Sequence, residues 1–313
     1  MLKIIGRRLL VSLPLILIVT MLSFFLVLLT PGDPAAVMLG MNHTPAEYEA
    51  ARVKLGLNQP ALTRYGNWLK GLGNGDLGVS MFNSEPVIKI LKSRSGVTFS
   101  LIIVTTIFSS IIGVALGIAS AIRRGALARI VDLISLVGMS LPNFWLGLVL
   151  VAIFSVSLHL LPTIGYIQPG TSITGWLKSL VLPVAVLSAP AIGMIAQQTR
   201  SSMLEVLDSP FIRTLRAGGL GRFSIIYRHA LRNAAISIIT VVGLTFVSLL
   251  SGTVIAETVF ALPGLGGLAV QATSRHDLPV IQGLVLYFTV IVIIVNIIVD
   301  VVYVWFNPRI RLS

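Results

Sequence analysis

Several residue patterns in this chain have the spelling of chemistry, and each lacks the company the chemistry needs. Gly73-Asn-Gly-Asp-Leu-Gly78 fits the GxGxxG turn that cradles a dinucleotide phosphate, but it follows no predicted strand, and Gly264-Leu-Gly-Gly-Leu-Ala269 fails in the same way. Gly73-Asn-Gly-Asp76 also carries the glycine-aspartate pair of intramembrane aspartyl proteolysis. That reaction needs two carboxylates at one membrane depth, and Asp76 lies outside every apolar stretch and has no plausible partner aspartate within one. Asp132 and Asp300 fall at the edges of apolar stretches, yet neither sits in a recognisable catalytic sequence. Asp132 is expected to form an interfacial ion pair with the neighbouring Arg129, and Asp300 to pair with Arg309 or a neighbouring helix. His159 and His276 stand in or beside loops without metal-ligand company, and Asn42-His-Thr44 is a glycosylation sequon by spelling only. There is no Walker lysine loop, His-Glu-x-x-His or Gly-x-Ser-x-Gly. With no cysteine, thiol nucleophiles, disulfides and cysteine-zinc sites are excluded.

One segment points to a mechanism of another kind. From 209 to 233 the chain reads Ser-Pro-Phe-Ile-Arg-Thr-Leu-Arg-Ala-Gly-Gly-Leu-Gly-Arg-Phe-Ser-Ile-Ile-Tyr-Arg-His-Ala-Leu-Arg-Asn. Ser209-Pro210 predicts an N-cap followed by proline at the first helical position. Gly218-Gly219 predicts the stop, because glycine takes the left-handed conformation that ends helices. A second short helix is expected over about 222–233. Phe223, Ile226, Ala230 and Ala234 would share its apolar face, and Arg228 and Arg232 another. A helix-glycine-helix studded with arginines is suited to a groove on a partner protein.

The elements that must position this hairpin follow from composition. The chain is 55% hydrophobic and 11% charged, with a mean hydropathy of +0.95, which excludes an ordinary soluble domain. Stretches near the ~20 residues needed to cross a bilayer run over 9–30, 97–121, 130–156, 180–198, 235–256 and 280–305. Six spans place both termini on one side. The first is too long for a typical signal peptide, lacks an obvious cleavage site, and is expected to stay as an uncleaved span. The net charge of +12 does not indicate nucleic-acid binding, because it is sorted by side. Lys3, Arg7 and Arg8, then Arg123, Arg124 and Arg129, then Arg200 through Arg232, then Arg309 and Arg311 all fall inside if the N-terminus is inside. The two short outside loops hold only Lys178 and Arg275. The positive-inside rule therefore predicts N-in and C-in.

The organisation expected is a first span over 1–30, an exterior loop or cap over 31–96, and a core of five spans over 97–313. Pro142 and the Pro183/Pro190 pair are the candidates for helices that must bend during a working cycle. Pro14, Gly113, Gly117, Gly147 and Gly193 suggest further kinks and close helix contacts. Glu257 ends the fifth span, where it would either fix the following loop or line an exterior-facing pathway.

The chain resembles the permeases of the dipeptide/oligopeptide/nickel branch of ABC importers, over nearly its whole length. The hairpin is similar to their cytoplasmic loop, with Leu215-Arg-Ala217 at the first triplet, Gly219 at the motif glycine and His229-Ala-Leu231 after it. Leu29-Thr-Pro-Gly-Asp-Pro34, Leu55-Gly-Leu-Asn-Gln-Pro60, Arg64-Tyr65 with Trp68, and Gly75-Asp-Leu-Gly-Val-Ser80 match the exterior loop in order. Leu141-Pro-Asn-Phe-Trp-Leu-Gly147, Leu161-Pro-Thr-Ile-Gly-Tyr166, Glu257-Thr-Val-Phe-Ala-Leu-Pro-Gly-Leu-Gly266 and Asp277-Leu-Pro-Val-Ile-Gln-Gly283 complete the set. Two positions depart: Gly218 stands where a lysine is common, and Ser237 where proline often opens the fifth span.

The resemblance implies an all-α polytopic membrane protein with the type I, MetI-like permease fold and an enlarged exterior loop. It implies a bacterial cytoplasmic (inner) membrane setting, a homologous sister permease, two cytoplasmic ABC ATPases and an exterior substrate-binding protein. The chain itself would hydrolyse nothing and bind no cofactor, ATP and Mg belonging to the ATPases. Arg213, Arg216, Ala217, Gly219, Arg228, His229 and Arg232 would couple to the ATPases, with Gly219 allowing close backbone approach. Asp33, Asp76, Glu257, Pro263 and Gly264 would form the outer gate or meet the binding protein. Peptides are the expected cargo, with nickel chelates, glutathione and oligosaccharides as alternatives. An intramembrane protease is the rival class.

Overall fold

The computed structural model describes residues 2–40, 43–123 and 125–306. Among these the secondary structure is helical, apart from an isolated antiparallel bridge between Val79 and Pro86. The expected pairing of Asp300 with Arg309, the sequon at Asn42, and the charges of Arg124, Arg309 and Arg311 fall outside the described residues.

In chain order the helices are α1 (Leu2–Leu29), α2 (Pro34–Leu39), α3 (Pro45–Lys54), α4 (Ala61–Gly73), α5 (Val87–Ile122), α6 (Ala126–Ser140) and α7 (Asn143–Leu150). They continue with α8 (Ile173–Leu207), α9 (Pro210–Ala217), α10 (Leu231–Val259), α11 (Leu265–Arg275) and α12 (Leu278–Phe306). Five helical stretches are long and apolar enough to span a bilayer, and counting the bent pair α6 and α7 as one span gives six.

The third span breaks at a residue singled out for bending, and the fifth has a different boundary from the one expected. The third span is broken: α6 ends at Ser140, Leu141 is extended, and α7 resumes at Asn143 after a 99° bend. Pro142 imposes this, since the residue before a proline is pushed out of the helical region. The fifth span is longer than expected. The second hairpin helix is not a separate short helix, because a π-helical turn (Ser224–Ala230) runs directly into α10 as one stretch to Val259. With Ser237 in place of a proline, nothing between 222 and 242 breaks the helix. Pro183 and Pro190 lie inside α8, and Pro14 inside α1, without interrupting either helix. In packed membrane helices neighbouring groups re-satisfy the freed carbonyl.

The chain gathers into two compact units, residues 1–98 with 263–294 and residues 99–262 with 295–313. In the first, Leu77, Val87, Leu91, Leu265, Val280 and Leu284 form a buried core. Tyr65 of α4 packs on Phe24 of α1 at 5.4 Å between ring centroids and hydrogen-bonds Thr20 at 3.0 Å.

In the second unit α8 is the central helix. Two-thirds of its most apolar window is buried (67%), against 39% for α5 and 33% for the α10 span. Small residues let the neighbours close on it. A Cβ on Gly193 would lie 2.7 Å from the Ser135 carbonyl oxygen of α6, and one on Gly117 of α5 would lie 2.5 Å from Thr199 Cβ. Asp132 is paired with Arg200 of α8 at 2.8 and 2.9 Å rather than with Arg129, which is exposed on the same helix. The reason is reach across the α6–α8 seam. A guanidinium from the facing helix meets both carboxylate oxygens in a partly desolvated setting, where a charged hydrogen bond is strongest.

Candidate functional site

The basic hairpin is a rigid projection anchored by one side chain. Ile212, fully buried, enters a core made by Met203, Ile225, Ile226 and Ala230, with Ile118 and Ala121 of α5. Pro210 opens α9, and Ser209 holds the N-cap position with an extended backbone. Its hydroxyl does not cap α9; it donates back to the Val206 carbonyl at 2.6 Å, binding the hairpin to the end of α8. The double glycine ends α9 as expected. Gly219 takes φ +78°, its N–H reaches the Arg216 carbonyl at 3.1 Å, and the Leu220 N–H reaches Leu215 at 3.2 Å. These are the paired bonds of a Schellman stop, in which the left-handed residue is glycine because a side chain there costs energy.

The exit from the hairpin is wound differently from the expected α-helix. The Leu231 N–H bonds the Ile226 carbonyl, five residues back, as in a π turn. That wider turn shifts the phase of the faces. Ile226, Ala230 and Ala234 are buried as expected, but Phe223 is 74% exposed and lies against Tyr227 at 4.5 Å, while Ile225 takes its buried place. Arg213, Arg216, Ala217, Gly219, Arg228 and Arg232 are exposed and His229 is partly so. None of the four arginines has a carboxylate partner among the described residues. The result is a basic surface whose backbone is fixed on both sides by the long helices α8 and α10.

The exterior candidates divide between the two units. Asp33 caps α2, accepting from the Ala35 N–H at 2.8 Å and from the Tyr48 hydroxyl at 2.6 Å. Partial burial alone would raise its pKa. The Tyr48 hydroxyl, the Ala35 and Ala36 amides and the Arg52 charge outweigh that and hold it below the ordinary value of 3.8. A depressed carboxylate pKa stabilises the fold fully above 3.8, and the contribution is lost as pH falls through the folded value. Hydrogen-exchange protection of the α2 and α3 amides, corrected for the intrinsic exchange rate at each pH, is therefore expected to fall as the pH is taken below 3.8, and to stay constant between that pH and neutrality. Asp76 is exposed and accepts from the Gly78 N–H at 2.8 Å. Pro263 is exposed, while Gly264 is buried at the N-cap of α11. In the second unit Glu257 is 1% exposed and its carbonyl accepts from Leu262 N–H at 2.8 Å, closing the turn after α10.

Sequence reasoning passed over Asp277, which it read only as part of a matching block. Its buried carboxylate accepts from the Ser80 hydroxyl and, at 3.2 Å, from the Met81 N–H, clamping the 80–86 turn to the start of α12. Only its burial, which sequence does not display, would have flagged it. Asp277→Ala leaves those donors buried and unpaired, and is expected to lower the stability of the first unit by about 1–3 kcal/mol, read from the unfolding midpoint in detergent. His276 also has a structural use: its ring meets the Pro31 carbonyl at 3.1 Å. No group of histidines and acids that could hold a metal occurs among the described residues. Asp132, one of the two aspartates at the edges of apolar stretches, is engaged by Arg200.

Helices long and apolar enough to cross a bilayer, with a basic hairpin held between α8 and α10, make this a polytopic membrane protein. Residues 113–312 match the binding-protein-dependent transport system inner membrane component, and residues 1–102 match the N-terminal model of such membrane components. The chain belongs to this family, and with its apolar helices it is a multi-pass inner-membrane transport subunit. It is 41% identical over 312 residues to a putative peptide transport system permease protein of Brucella abortus (strain 2308), covering 99% of each chain. Dipeptide transport system permease proteins of Alkalihalophilus pseudofirmus and Escherichia coli (strain K12) are 38% and 36% identical, with at least 97% of each chain covered. Among solved structures it is similar in fold to a chain of the inward-facing MetNI methionine ABC transporter. The TM-score is 0.59 at 19% identity, covering 72% of this chain and 99% of that one.

Proposed function

We propose that this chain forms half of the translocation pathway for di- or oligopeptides in an ATP-driven importer, and that its 209–233 hairpin is the element through which ATP hydrolysis elsewhere moves it. The observation that carries this is the hairpin's construction. It is polar, exposed and fixed by Ile212 and a Schellman stop, and it joins α8 and α10 directly. A push on such a projection is delivered to two spans at once rather than absorbed by a loop. The peptide cargo is inferred from the relatives, which are named as peptide and dipeptide permeases.

In this reading the pathway's other half is a homologous sister permease, the hairpin sits in an acidic groove of a cytoplasmic ATPase, and a substrate-binding protein delivers cargo outside. Both termini are then cytoplasmic. ATP and Mg are bound and consumed by the ATPases; this chain's own groups hold position and charge. The exposed arginines 213, 216, 228 and 232 supply the attraction to the groove, and screening by salt weakens it.

The test is mass spectrometry of the proteins that co-purify with the tagged chain from mild-detergent extracts of its native membranes. Recovery of a second permease with one or two Walker-motif ATPases is expected. Recovery of the chain alone, or as a homo-oligomer free of any ATPase, would sink the reading. The double variant Arg228→Glu, Arg232→Glu is expected to lose the ATPases from that preparation while retaining the sister permease.

A further inference from the structure

Where the hairpin's exit passes α5, the two enclose an apolar groove of about 1040 Å³ within the second unit. One wall is a single face of α5, with Ile111, Val114, Ile118 and Ile122 at helical spacing. The other is the hairpin's exit, where Phe223 and Tyr227 lie side by side and both are exposed. Two guanidiniums stand at one end, Arg123 just past α5 and Arg222 just before the π turn. Both are exposed, and neither has a carboxylate within 4.0 Å among the described residues. No acidic side chain lines the groove.

The dimensions and the charge select the occupant. From Ser110 to Ile122 the α5 wall is about 18 Å long, at the ~1.5 Å rise of a helical residue. That is close to one leaflet, half of the ~30 Å hydrocarbon core. The arginine pair then stands at headgroup depth, beside Tyr227, whose ring type gathers at that interface. A neutral lipid would cover the wall and leave both guanidiniums without a counter-charge. A spanning helix of a sister permease would arrive with basic residues of its own at the inner end, as positive-inside sorting requires, and set like charges together. A phosphodiester carrying acyl chains meets both demands. Guanidinium-phosphate pairs are charge-assisted and fork-shaped, and basic pockets between spanning helices on the cytoplasmic side are where anionic headgroups bind.

We infer that this groove holds an anionic glycerophospholipid of the inner leaflet, its acyl chains against α5 and its headgroup phosphate between Arg123 and Arg222. The choice of leaflet rests on the importer reading above, which makes the hairpin side cytoplasmic. Arg222 thereby has a use distinct from that of arginines 213, 216, 228 and 232. Ile118 and Ile226, which line the groove, also belong to the core that seats Ile212, the hairpin's anchor. The lipid would brace α5 against the hairpin's exit and stiffen the projection.

The experiment is photo-crosslinking of the purified complex in phosphatidylcholine nanodiscs carrying a trace of diazirine-labelled phosphatidylglycerol or, in parallel, diazirine-labelled phosphatidylcholine. Labelled peptides are mapped by mass spectrometry. Residues 110–122 and 223–227 are expected to prefer phosphatidylglycerol about tenfold or more, the scale of two cationic groups acting on one headgroup. The exposed α12 surface around Ile298 serves as the reference, with a ratio near one. The double variant Arg123→Gln, Arg222→Gln should bring the groove to the reference ratio, and Arg123→Lys, Arg222→Lys should keep most of the preference. Inorganic phosphate at constant ionic strength should not displace the lipid, because it offers nothing to the apolar wall. A groove ratio near one in the wild type would mean annular lipid only and overturn the proposal. So would labelling of α12 with none in the groove, because a protein segment would then cover it. Displacement by inorganic phosphate would assign the arginines to a soluble anion and overturn it as well. The expected preference on a chain recovered without any ATPase would defeat the importer reading and leave the lipid site standing.

Discussion

Gly219→Asp is expected to leave the protein folded and in the membrane while abolishing coupled transport. Gly219 sits at φ +78°, and a Cβ built there meets nothing within 4 Å. The substitution therefore costs only the strain of a left-handed L-residue, about 1–2 kcal/mol, with aspartate among the residues that tolerate it best. The larger effect falls on docking. A carboxylate placed between Arg216 and Arg222 cancels part of the basic surface and faces the acidic groove proposed for the ATPase. Like charges brought together across an interface cost several kcal/mol, which corresponds to a loss of ~100-fold or more in docking. Membrane content measured by immunoblot, together with peptide uptake in reconstituted vesicles, separates the two effects. Uptake at the wild-type rate would remove the hairpin from the coupling role.

Gly117→Leu is expected to do the reverse and prevent the protein from accumulating at all. A Cβ at Gly117 would stand 2.5 Å from Thr199 Cβ and 2.7 Å from the Ala196 carbonyl oxygen, so the obstacle includes backbone that cannot rotate away. Overpacking a close-packed seam costs typically ~1–3 kcal/mol and more where backbone must shift. Here the seam joins α5 to α8, the helix on which the second unit is built. Small residues at such crossings are what allow membrane helices to approach. The readout is the amount of full-length protein in purified membranes, expected to fall by about tenfold, since ~1.4 kcal/mol already shifts a folding equilibrium by that factor. Wild-type abundance with normal gel-filtration behaviour would show that the seam opens more easily than its geometry implies. Gly117→Ala, which adds only the Cβ, is expected to fall between the two.

These variants mark how far the site was legible beforehand. The hairpin's start at Pro210, its stop at Gly218-Gly219 and its basic character were readable because caps, stops and charge are local properties. Its exit was misread for a matching reason: the π turn at Ser224–Ala230 is not signalled by a residue type, and the exposure of Phe223 follows from it. Pro142 was a candidate bend and bends the chain by 99°, whereas Pro183 and Pro190 were candidates of the same kind and interrupt nothing.

What the sequence by itself determined is what depends on solvent and on near neighbours. It set the number of apolar stretches, the clustering of arginines between them, and the position and polarity of the hairpin. Only the tertiary structure decided which distant groups meet. Asp132 finds Arg200 sixty-eight residues away rather than Arg129 three residues away. Asp277 closes on Ser80 across 197 residues, and Arg123 and Arg222 border one groove. Partition into a bilayer is a sum over local residues, while pairing across a seam depends on which faces the packing brings together. That second quantity belongs to the folded chain.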